Sequence, residues 1–78
     1  MKSVKINIAG IYDVTEFVKH ASKVSPGVNV RKGSQCIDGA SLMGMMSLDT
    51  TGGVIVEYPA DARDFEDFIS KFVANKQN

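Results

Sequence analysis

Seventy-eight residues allow one domain around one core, too small to enclose a deep substrate pocket, so length alone favours a binding or carrier module over an enzyme. Nine basic residues against nine acidic ones leave no net charge, which argues against a general nucleic-acid binder, since that needs a basic face to displace counterions. One cysteine excludes an internal disulfide, and no apolar run approaches the roughly 20 residues that span a bilayer.

The first residues, Met1-Lys2-Ser3-Val4-Lys5-Ile6, lack the apolar stretch of a signal peptide, so the expectation is a soluble, cytoplasmic protein. Val4, Ile6 and Ile8 alternate with Ser3, Lys5 and Asn7, which predicts a strand with one buried and one wet face. Ala9-Gly10 ends it. Asp13, with Glu16 three residues later, reads as a capping box opening a helix. Val14, Phe17, Val18, Ala21 and Val24 then recur at helical spacing, and Ser25-Pro26-Gly27 stops the run.

Val28 and Val30 predict a second strand, and Lys32-Gly33-Ser34 a tight turn into a third near Gln35–Ile37. After the break at Asp38-Gly39-Ala40, a short helix is expected through Leu48 with Ser41 at its start. Val54, Val56 and Tyr58 alternate as a fourth strand. Asp61 is read as the N-cap of a last helix whose stripe is Phe65, Phe68, Ile69, Phe72 and Val73, with a fraying tail at Ala74–Asn78. One sheet with one apolar face, and helices whose apolar stripes need a partner, predict a two-layer, open-faced α+β sandwich over residues 1–78 with three helices on one face of four strands, and short hairpin connections favour a largely antiparallel sheet. Lys5, Asn7, Asn29, Arg31, Ile55 and Glu57 should face water.

The element order, together with Ala40-Ser41-Leu42-Met43-Gly44-Met45-Met46-Ser47-Leu48, resembles HPr, the histidine-containing phosphocarrier of the bacterial sugar phosphotransferase system. Proteins of that family commonly read Lys-Ser-Ile-Met-Gly-Val-Met-Ser-Leu here. Gly53, Phe17-Val18-Lys19 and Ala21-Ser22 support the likeness. The family's carrier motif, Gly-Leu-His-x-Arg-Pro-Ala, is not matched. Gly10-Ile11 sets Tyr12 at the histidine position, and Asp13 and Glu16 would close that helix end against phosphate.

His20, the one histidine, lies off the apolar stripe of the first helix. It is expected to be a solvated surface residue, with a phosphoacceptor role as the alternative. One histidine without clustered cysteines or carboxylates makes no metal site, and no cofactor is expected. Cys36 reads as a small packed hydrophobe, and Tyr12 as a packing residue.

Ser41 matches the serine phosphorylated by a dedicated kinase in many Gram-positive relatives, although Ala40 replaces the usual lysine before it. Leu42, Met43 and Met46 are expected to form an exposed docking patch, with Met45 and Leu48 buried. The resemblance therefore implies a regulatory, protein-binding module without phosphohistidine transfer, akin to the catabolite-repression HPr-like proteins. Its partners would be phosphotransferase-system components, a serine kinase or a transcriptional regulator, with no membrane or nucleic-acid target. The chain itself would be a monomer or weak dimer. The rival readings are a carrier using His20 and an interaction domain unrelated to sugar transport.

Overall fold

Alternation at the start of the chain becomes β1 (Lys2–Ile6) in the computed structural model, which describes residues 1–73. The chain continues through α1 (Gly10–Ala21), β2 (Asn29–Lys32), β3 (Gln35–Asp38), α2 (Leu42–Ser47), β4 (Val54–Tyr58) and α3 (Arg63–Ile69). The four strands lie in the order β1-β4-β2-β3, and every neighbouring pair is antiparallel. The expected hairpin closes through Gly33-Ser34, and β4 inserts between β1 and β2.

Register explains the two faces. Val4, Val56, Val30 and Ile37 stand opposite one another across all four strands and point at the helices. The next row, Lys5, Ile55, Arg31 and Cys36, points away. Because side chains alternate along a strand, an inward Ile37 forces Cys36 outward. Cys36 is exposed, which corrects the expectation that it packs. The outer face is otherwise as read from the sequence, with Arg31 Nε donating to Glu57 Oε2 at 2.9 Å.

The core lies between the inner face of the sheet and the helices. Ile6, Val28, Val30, Val54 and Val56 meet Phe17 of α1, Met45 of α2 and Ile69 of α3, each fully buried. Phe17, Phe65 and Tyr58 pack edge to face, with ring centroids 5.7 and 5.6 Å apart. Such pairs add directional preference to the hydrophobic driving force. Tyr58 keeps its hydroxyl satisfied by donating to Glu66 Oε2 at 2.7 Å, and Lys2 Nζ donates to the same oxygen.

Two helix starts differ from the sequence reading. α1 starts at Gly10, one turn before the expected Asp13 cap, and its N-cap, Ala9, offers no side-chain bond. Asp13 instead reaches back to accept the Ala9 N–H at 3.1 Å. It thus serves the helix start from the fourth helical position rather than as the cap, without the reciprocal side-chain bond of a capping box. Glu16 is left to pair with Lys19 at 3.9 Å. Asp61 is not the cap of α3 either. The turn Pro59–Ala62 carries the chain one residue further, so Ala62 occupies the cap and makes no side-chain bond.

The last apolar stripe is also broken. α3 tightens into a 3-10 turn at Ser70–Phe72, and Val73 then forms a bridge with Ile6. The Asn7 N–H donates to the Phe72 carbonyl at 2.7 Å, so the segment after α3 is tied alongside the chain leaving β1. The tail expected to fray, Ala74–Asn78, lies outside the described residues. Among the described residues, no helix is long and apolar enough to cross a membrane.

Candidate functional site

The residues singled out from the sequence fall into two places: the adjoining ends of α1 and α2, and the far end of α1. α2 is held at its beginning by Ser41, whose Oγ accepts the Gly44 N–H at 3.1 Å. Asp38 fixes the approach. Its carbonyl accepts the Ser41 N–H at 3.0 Å, and its carboxylate the Ala40 N–H at 2.9 Å. Gly44 makes the cap possible: a Cβ there would lie 3.1 Å from Ser41 Oγ and 3.4 Å from its Cβ. Helical spacing then turns Met45 into the core, and Leu48 follows it inward just past the helix end.

No described residue covers the opposite side of α2. Leu42 is 43% exposed, Met46 57% and Met43 83%. Residues three and four apart share a helix face, so these three side chains form one surface. α2 carries no charged residue in its first or last turn. A phosphoryl group on Ser41 would therefore bring about −1.5 to −2 of charge to an otherwise neutral helix.

The structure adds a feature that the sequence reading missed. Ile11 and Tyr12, in the first turn of α1, are 58% and 75% exposed. Ile11 and Met46 line a shallow groove of about 250 Å³ floored by Val14, Met45 and Leu48. The apolar surface thus runs from α2 onto the start of α1. The signal was present as an isoleucine directly after Gly10, but only a helix beginning at Gly10 places it beside Met46. Tyr12 is no packing residue; it is the third residue of α1 and projects into solvent.

The start of α1 is also more open than expected. Among the described residues, Asp13 takes only the Ala9 N–H and no side chain caps the helix. Neither Ala9 nor Gly10, at that start, has an ionisable side chain.

His20 stands ten residues further, about 15 Å along the helix axis. It is half-buried rather than freely solvated, stacked face to face on Phe68 with centroids 3.8 Å apart and planes at 10°. The stack exists because α3 packs along α1 and brings Phe68 over the imidazole.

The loop after α2 is pinned from two sides. Asp49 accepts the Thr51 N–H at 3.0 Å, and this bond, aided by the Thr51 side chain and Lys32, holds the Asp49 carboxyl below its ordinary range. Lys32 Nζ donates to the carbonyls of Thr51 and Gly53. These contacts fix the end of α2 relative to the sheet, and with it the position of Met46 and Leu48.

A family model described as the PTS HPr component phosphorylation site matches residues 13–76, most of the chain. Neither the curated proteins nor the solved structures contain a match. The open four-stranded antiparallel sheet with three helices agrees with that family's fold. Members of the family are phosphocarriers rather than enzymes and interact with protein components of the phosphotransferase system. With the fold, the Ser41–Leu48 segment and the family match in agreement, the chain belongs to the HPr family of the phosphotransferase system.

Proposed function

We propose that this HPr-family protein is a regulatory, protein-binding module that does not transfer phosphohistidine, and that phosphorylation of Ser41 controls it. The observation that carries the reading is the arrangement of α2. Leu42, Met43 and Met46 are exposed around a helix anchored by Met45 and Leu48, and Ser41 caps its start. Methionine adapts its shape to different partners, and burying such side chains on docking is worth roughly 1.5–3 kcal/mol each before the costs of association. A phosphate at Ser41 would sit at the border of that patch, where charge repels an apolar partner or recruits one bearing arginines. The partners proposed are phosphotransferase-system proteins, a serine kinase and a transcriptional regulator, in the cytoplasm.

The first test uses enzyme I of the phosphotransferase system with phosphoenolpyruvate. The expected result is no acid-labile phosphate on the chain; label on His20 would overturn the reading. The second uses the cognate serine kinase with ATP, read by mass spectrometry. One phosphate on Ser41 is expected, and an unmodified Ser41 would remove phosphorylation as the control. In the third, the chain should capture a phosphotransferase component or regulator, and Met46→Glu should lose it. Equal capture by parent and variant would refute docking through α2.

A further inference from the structure

A second groove, of about 440 Å³, lies between the C-terminal end of α1 and the N-terminal end of α3, about the length of α1 away from the Ile11–Met46 surface. Val24 and Ala62 supply its apolar surface, above an almost fully buried Phe65. His20 and Lys23 border it from the α1 side, and Asp61, Arg63 and Asp64 from the α3 side. The volume falls within the range of small-molecule sites.

The charged groups are the informative part. Among the described residues, the side chains of His20, Lys23, Asp61, Arg63 and Asp64 make no hydrogen bond or ion pair. Most other charged side chains of the protein do: Lys2 with Glu66, Glu16 with Lys19, Arg31 with Glu57, Lys32 with two carbonyls, and Asp13, Asp38 and Asp49 with backbone N–H groups. Among the described residues, four of the unpaired charges, those of Lys23, Asp61, Arg63 and Asp64, border one concavity. They are balanced as well, with Lys23 and Arg63 against Asp61 and Asp64. A phosphate or other simple anion would meet two carboxylates, and a simple cation two basic groups. The complementary ligand is small and carries both signs, with an apolar part for Val24 and Ala62. His20 borders this groove with one ring face already covered by Phe68, so its orientation is set before anything binds.

We infer that this groove binds a free α-amino acid with an aliphatic side chain, its carboxylate toward Arg63 and Lys23 and its ammonium toward Asp61 and Asp64. The inference is independent of docking through α2. The test is a titration of the ¹⁵N-labelled chain with L-leucine, followed by amide shifts. Saturable shifts confined to the segments around 20–25 and 61–65 are expected, with the α2 amides unmoved. N-acetyl-L-leucine lacks the ammonium and L-leucinamide lacks the carboxylate; each should bind at least about tenfold more weakly, the factor that roughly 1.4 kcal/mol of lost interaction gives. Lys23→Gln and Asp61→Asn, both at exposed positions, should weaken leucine similarly while leaving the thermal midpoint unchanged. No saturable shift at about 10 mM, where a millimolar site would be mostly filled, overturns the inference. So does equal binding of leucine and its two capped analogues, or stronger binding of inorganic phosphate.

Discussion

Replacing Ser41 by alanine removes one hydroxyl and tests whether the start of α2 is built by its cap or merely carried by the core. The hydroxyl accepts the Gly44 N–H at 3.1 Å, and α2 is only six residues long, so one N-terminal N–H is a large share of its bonding. Losing a serine cap costs about 1 kcal/mol, within a range of roughly 0.5–2. A domain of this length is stable by roughly 4–12 kcal/mol, so the loss is a measurable fraction. With a urea dependence of about 1 kcal/mol per molar, the midpoint should fall by about 1 M. Hydrogen exchange of the Gly44 amide should accelerate by about fivefold if it opens with α2. Ser41→Asp should keep the midpoint near the parent value, because aspartate caps as well as serine and its charge suits a helix start. Two results would refute the reasoning: an unchanged midpoint and unchanged Gly44 exchange in Ser41→Ala, or equal destabilisation by alanine and aspartate.

Tyr58 supplies a pH prediction. Burial, reinforced by its bond to Glu66, pushes the phenol up from 10 to about 12. The neutral hydroxyl is thus favoured by the fold, so its stabilisation is fully present below pH 10 and is lost as pH rises from 10 towards 12. That loss is at most roughly 2–3 kcal/mol, and Tyr58→Phe should abolish this alkaline limb in urea denaturation followed by circular dichroism. Glu66 is held below its ordinary range, first by Lys2 and then by Tyr58, so its contribution is present above the ordinary value and fades as pH falls below it; Glu66→Gln should flatten the acid limb. Met45→Ala should cost about 2–5 kcal/mol through the cavity it leaves, whereas Met43→Lys should leave the midpoint within about 0.5 kcal/mol of the parent, both read by chemical denaturation. Gly53→Ala should cost more than 1 kcal/mol, about the value of an ordinary substitution, because Gly53 sits at φ +94° and a Cβ would lie 2.8 Å from Lys5 Cε and 3.1 Å from the Ile6 carbonyl; its thermal midpoint is the readout.

Most of the fold was legible because it rests on periodicity. Val54, Val56 and Tyr58 alternate and do form β4, and the stripe Val14, Phe17, Ala21 does face the core. The Ser41 cap and the buried Met45 and Leu48 are as read, and that part of α2 stays exposed follows because a short helix over one sheet can bury only one side; that the exposed residues are Leu42, Met43 and Met46 was legible only through the family resemblance. Helix starts were harder. Asp13 can serve a helix start as its cap or from the fourth helical position, and local sequence does not say which; α1 begins earlier because the chain turns at Ala9-Gly10 on leaving the sheet. Asp61 failed for a similar reason, as a turn bonded through Pro59 and Ala62 moved the helix start by one residue.

What the sequence determined by itself was therefore the set of elements, their buried faces and the family likeness, since each depends on residues close in the chain. What only the tertiary structure decided was which distant residues meet. Ile11 joins Met46, His20 is stacked on Phe68, and Lys23, just past α1, borders one groove with Asp61, Arg63 and Asp64 at the start of α3. These are contacts across the core, and they follow from how helices settle on a twisted sheet rather than from any spacing along the chain. Cys36 lies between the two cases, since its outward direction was implied by Ile37 once the register of β3 was known.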